Sequence, residues 1–103
     1  MTSPEEIAKI IKKYYPDALI LLFGSRVSGE YLATSDIDLI VVSNKFKDIE
    51  FVERPIHILK MLYREGIKKS LDILCYTMEE FRKKSQEIGI VREALKTGKI
   101  LAK

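Results

Sequence analysis

Ala18-Leu19-Ile20-Leu21-Leu22-Phe23-Gly24-Ser25, followed by Ser35-Asp36-Ile37-Asp38-Leu39-Ile40-Val41-Val42-Ser43, is the stretch that decides the fold of this chain. Residues 17–23 form a short, almost wholly apolar run that stops at a glycine, the pattern of a strand buried on both faces. A buried helix segment is the alternative, and the short length favours the strand. Residues 35–43 read as a second strand, polar at its start and apolar further on. Between the two, Ser25 is placed to cap a short helix over residues 25–31.

Outward from this centre the punctuation is regular. Ser3, Pro4 and Glu6 have the spacing of a capped helix start, and Ile7, Ile10, Ile11 and Tyr14 then recur at helical period until Pro16 stops them. Residues 44–53 form the least regular stretch, a connection rather than a domain linker. A helix over residues 55–65 follows, whose apolar side chains spread over more than one stripe. Such a helix is either unusually buried or meets another chain. A homodimer is kept open as a separate partner expectation. Ser70 to Tyr76 is a third strand. Thr77-Met78-Glu79-Glu80 opens a further helix with a capping box, and a last helix runs through Ile90, Val91, Ala94 and Leu95 to Gly98, before a short edge strand at Ile100-Leu101. The alternation of helices and strands predicts an α/β (α+β) chain with a mixed sheet of three to four strands and helices packed on it.

Asp36 and Asp38 open the second strand, where charge would ordinarily be excluded. Alternation puts both on one face with β-carbons about 6.5 to 7 Å apart. Two carboxylates that close, beside Ile37 and Leu39, repel and lose hydration unless a cation or proton compensates. Oxygen-only ligation, with no Cys or His in the motif, suits magnesium better than zinc. Taken alone a pair of this spacing is ordinary: Asp36 caps a turn after Ser35, and Asp38 faces solvent on an edge strand.

Gly24-Ser25 adds a glycine at a strand end followed at once by a helix start. There free backbone N–H groups and the positive helix end face an anion, and the hydroxyl donates to a phosphate oxygen. An ordinary capped helix explains most isolated Gly-Ser pairs. Asp72 interrupts the apolar strand Leu71-Asp72-Ile73-Leu74-Cys75. If this strand lies beside the second, Asp72 can join Asp36 and Asp38 and take a proton from an incoming hydroxyl; otherwise it is an exposed residue near a strand end.

Gly24-Ser25, ten intervening residues and Asp36-Ile37-Asp38 together resemble the signature of the DNA polymerase beta nucleotidyltransferase superfamily. More narrowly they resemble its minimal nucleotidyltransferase branch, the small domains found as antitoxins of HEPN-domain toxins. The likeness extends over nearly the whole chain, including the run Gly24-Ser25-Arg26-Val27-Ser28-Gly29 and the ending Arg92-Glu93-Ala94-Leu95-Lys96-Thr97-Gly98. It implies a nucleotidyltransferase fold over residues 1–103 as one domain. By the same resemblance, Gly24 and Ser25 bind the nucleoside triphosphate with help from Arg26, and Asp36, Asp38 and Asp72 hold two Mg2+ ions and carry the catalysis. ATP is the implied donor, and a tyrosine of a HEPN-domain partner is the implied acceptor of AMP, with the helix over 55–65 as the partner's contact surface. Transfer to a small hydroxylated molecule, as in aminoglycoside-modifying relatives, is the second enzymatic alternative. A binding module that neutralises its partner by sequestration is the non-enzymatic one.

Composition excludes several other classes. Hydrophobic residues at 47% are too many for a disordered chain, even with 32% charged. The net charge of +3 is a mild excess, with 15 acidic residues among 18 basic ones, so a nucleic acid is not expected as the direct substrate. The polar, acidic start lacks a signal-peptide pattern and no apolar run is long enough to span a bilayer, which predicts a cytoplasmic protein without a membrane partner. Cys75 is expected to pack as a small hydrophobe. His57, Arg54 and Lys45 take structural or solvated roles by default.

Overall fold

Ser3 starts the first helix as its position requires, its hydroxyl oxygen accepting from the Glu6 amide at 3.2 Å with Pro4 in the first turn. The computed structural model describes residues 3–23 and 37–103. Helix α1 (Pro4–Tyr14) stops before Pro16, and the chain turns into β1 (Leu19–Phe23), followed among the described residues by β2 (Ile37–Val42). The irregular connection resolves into two short 3₁₀ turns, Asn44–Phe46 and Phe51–Glu53, the second running straight into α2 (Arg54–Arg64). Gly66, at a φ of 89°, supplies the left-handed residue that ends α2 and redirects the chain toward β3 (Leu71–Tyr76). Thr77 then closes the expected capping box on α3 (Met78–Ser85), and α4 (Ile90–Thr97) leads into β4 (Lys99–Ala102).

Among the described residues four strands form one mixed sheet in the order β3-β2-β1-β4. β1 is antiparallel to both β2 and β4, whereas β2 and β3 are parallel. A parallel pair cannot be joined by a tight turn, so the residues between its strands must cross over, and α2 is the crossover helix. The fold is thus of the mixed α+β kind that the alternating pattern predicts.

Strand alternation sends two sets of side chains to opposite faces. On one face Ile20, Leu22, Leu39, Val41, Ile73 and Cys75 pack with Ile7 and Ile11 of α1 and Ile58, Met61 and Leu62 of α2. On the other, Leu21, Ile40, Val42 and Tyr76 pack with Phe81 of α3 and Val91 and Ala94 of α4. Gly98 lets α4 end directly against the sheet. Its backbone is extended (φ −81°, ψ 176°), and a β-carbon there would press on the Ala94 carbonyl and lie 2.8 Å from the Leu22 carbonyl oxygen. Close approach rather than a left-handed cap therefore explains this glycine. Among the described residues no helix is long and apolar enough to cross a membrane.

Candidate active site

Asp38 and Asp72 are each the second residue of their strands, and the parallel pairing of β2 with β3 makes them direct Cα partners. Neighbouring strands lie about 4.8 Å apart, and paired residues point to the same face. The neighbourhood of the two strands that a joint role for Asp72 requires is therefore present. The shared face is the one covered by α3 and α4, and the covering is uneven. Ile40 and Val42 are completely buried, Leu74 and Asp38 are half-buried, and Asp72 is exposed. The two acidic positions thus stand where the cover by α3 and α4 runs out, Asp72 exposed, Asp38 half-buried, and the strands apolar behind them.

β1 brings the chain to the same place. Its last residue, Phe23, is the antiparallel partner of Asp38, so the chain leaves β1 beside the acidic pair. Gly24, Ser25, Arg26 and Asp36, and the short helix expected over residues 25–31, lie outside the described residues. Among the described residues no three Asp, Glu, His or Cys side chains gather closely enough to hold a metal ion. The two that do pair, Asp38 and Asp72, offer hard oxygen donors. The sole imidazole and thiol are elsewhere: His57 sits on α2, and Cys75 faces the α1–α2 core. That donor chemistry fits magnesium.

The other end of the same two strands is built differently. A cleft of about 850 Å³ opens there, beyond the last residues of β2 and β3, lined by Asn44, Lys47, Arg54, Glu79, Glu80 and Arg82 among others. Its central charges neutralise each other. Arg54, expected to be solvated, is in fact buried. Its Nε donates to the Ile49 carbonyl at 2.9 Å and its Nη1 to the Cys75 carbonyl at 3.2 Å, while Nη1 and Nη2 grip the Glu80 carboxylate at 2.6 and 3.2 Å. Those guanidinium bonds hold the Glu80 carboxyl below the usual carboxylate range, burial opposing and the Thr77 amide assisting. Nearby, burial pushes the Asp17 carboxyl upward, but bonds from the Ser43 hydroxyl at 2.6 Å and the Asn44 amide at 2.9 Å outweigh it and leave it low. Arg54 and Glu80 in this cleft are therefore engaged in tying elements together. The linear pattern gave no signal for the Arg54–Glu80 clamp, because its partners are 26 residues apart and Glu80 already has a local reason to exist as the capping residue of α3.

The remaining candidates are peripheral. Lys45 is exposed and donates to the Tyr14 carbonyl at 3.0 Å, and His57 is exposed on α2. Burial pushes the Cys75 thiol up to about 12, consistent with its expected packing role.

Comparison with known proteins gives one consistent family. The family model for the nucleotidyltransferase domain matches residues 4–97. No curated protein matches the chain. Among solved structures, a candidate nucleotidyltransferase from Sulfolobus solfataricus superposes with a TM-score of 0.60 at 23% identity, over 93% of this chain and 73% of its own. A second candidate nucleotidyltransferase gives 0.53 at 30% identity, over 80% of this chain and 86% of its own. A hypothetical BolA-like protein from Rickettsia prowazekii gives 0.59 at 22% identity, over 75% of this chain and 96% of its own. At such identities the first and third likenesses speak for the fold alone.

Proposed function

The chain belongs to the nucleotidyltransferase domain family, and on that footing we propose that it moves AMP from ATP to a hydroxyl group, the acceptor being a tyrosine of a HEPN-domain toxin that the transfer silences. The observation that supports this reading is the register of β2 on β3. It sets Asp38 beside the exposed Asp72, next to the end of β1 that leads into Gly24-Ser25.

Asp36, Asp38 and Asp72 would hold two magnesium ions, which when bound neutralise charge on the attacking and leaving oxygens. Gly24 and Ser25 would present backbone N–H groups and a hydroxyl to the distal phosphates, with Arg26 adding charge-assisted bonds. Asp72 would receive the proton of the acceptor hydroxyl, a role supported by its exposure beside the half-buried Asp38. The acceptor oxygen bonds to the α-phosphorus, the bond from that phosphorus to the bridging oxygen breaks, and pyrophosphate leaves. The exposure of Asp72 favours an acceptor brought by another molecule.

Label from the α-phosphate of ATP should pass to a co-expressed HEPN-domain partner with magnesium present, and should stop with Asp38→Asn or Asp72→Asn. Undiminished labelling in both variants would refute the assignment. Label on small hydroxylated compounds but never on a protein would move the acceptor to that class. Full inhibition of the partner without magnesium or ATP would identify sequestration instead.

A further inference from the structure

Helix α2 has two apolar faces, and only one of them is used. Its buried side places Ile58, Met61 and Leu62 in the core. On the other side Val52, Ile56, Leu59 and Tyr63 are 73%, 48%, 37% and 62% exposed. Their spacing of four, three and four residues is that of the a/d positions of a two-helix seam, Val52 lying two residues before α2 in the 3₁₀ turn that leads into it.

We propose that this face docks a second copy of the chain, the two α2 helices lying antiparallel about a twofold axis. In that arrangement Val52 of each copy faces Tyr63 of the other, small against large, and Ile56 faces Leu59. The flanking charges then select the orientation. Glu53 and Lys60 are seven residues apart on the same edge of the seam, and both are exposed. Neither forms an ion pair within the chain among the described residues. An antiparallel pair brings equivalent flanks together, so Glu53 of one copy meets Lys60 of the other, twice by symmetry. A parallel pair would not bring this edge against itself and leaves both charges unmatched.

Weighted by their exposures, the four seam side chains present on the order of 400 Å² per copy, about half of the ~800 Å² per partner in a standard interface. An interface this small makes the dimer weak and concentration-dependent. α2 packs on the sheet face opposite Asp38 and Asp72, so pairing leaves the acidic positions open. It also moves the contact surface of an acceptor protein away from α2, toward the side of α3 and α4. The inference does not rest on the catalytic reading, and the two fail separately.

Sedimentation equilibrium of the full chain from about 1 to about 200 μM should show reversible dimerisation, and Leu59→Glu should remain monomeric throughout. Glu53→Lys and Lys60→Glu should each weaken association roughly tenfold or more by setting like charges opposite at both symmetric contacts. The double reversal Glu53→Lys/Lys60→Glu should restore it to within about threefold of the starting affinity. All three positions are exposed, and circular dichroism melts verify folding of each variant. A wild-type chain that stays monomeric over the whole range would overturn the proposal, as would a double reversal no better than the singles.

Discussion

Replacing Glu80 by Gln should destabilise the protein at neutral pH and cost almost nothing in acid. The substitution keeps the shape of the side chain and removes the charge that receives both Nη groups of Arg54 at 2.6 and 3.2 Å. A fully buried pair broken on one side costs about 3 to 5 kcal/mol. Here the Arg54 side chain is 6% exposed but that of Glu80 is 44% exposed, so water screens much of the interaction. A cost of about 1 to 2 kcal/mol is the appropriate scale, and at ~4 to 8 °C per kcal/mol for a domain of this length the Tm should fall by roughly 4 to 16 °C. The pH dependence follows from the direction of the Glu80 shift. Its carboxyl titrates lower in the folded than in the unfolded chain, because the Arg54 guanidinium binds its charged form. The contribution is complete above the unfolded value of about 4.3 and is lost as pH falls through the lower folded value. Urea titrations of both proteins between about pH 3 and pH 7 should therefore show a gap that closes in acid. A gap of constant size across that range would refute a charge-based clamp. Arg54→Ala should cost more, about 2 to 4 kcal/mol at neutral pH, because the Ile49 and Cys75 carbonyls lose their donors as well.

Three further outcomes are expected. Asp72→Asn, at an exposed position, should change unfolding free energy by no more than about 0.5 kcal/mol, so that lost transfer in that variant is not lost folding; chemical denaturation checks this. Gly98→Ala should destabilise by about 1 to 3 kcal/mol, read by thermal melting, because the new methyl group meets the Ala94 and Leu22 carbonyls at the junction of α4 and β1. Cys75, buried and with its thiol pushed up to about 12, should resist a thiol reagent near neutral pH until denaturant is added; rapid labelling of the native protein would contradict its place in the core.

Most of the architecture was legible because it rests on local patterns. Pro16 ends α1, Thr77 and Glu80 cap α3, and apolar runs of strand length yield β1, β2 and β3. Boundaries moved slightly: the strand read over residues 17–23 begins at Leu19, since Asp17 is bonded to Ser43 and Asn44 at the turn, and α2 begins at Arg54 rather than Pro55. The helix over 55–65 offered two options, burial or a partner. The structure answers with one face in the core and an apolar stripe outside it.

From the sequence alone one could read the described helices and strands and where carboxylates interrupt apolar strands, because capping, periodicity and the incompatibility of carboxylates with an apolar strand act over a few residues. Only the tertiary structure decided that β3 lies parallel beside β2 with Asp72 opposite Asp38, and that Arg54 is buried against Glu80. Strand order and register are set by how whole faces bury against α1 and α2 on one side and α3 and α4 on the other. That is a collective free energy, and no short stretch of the chain contains it.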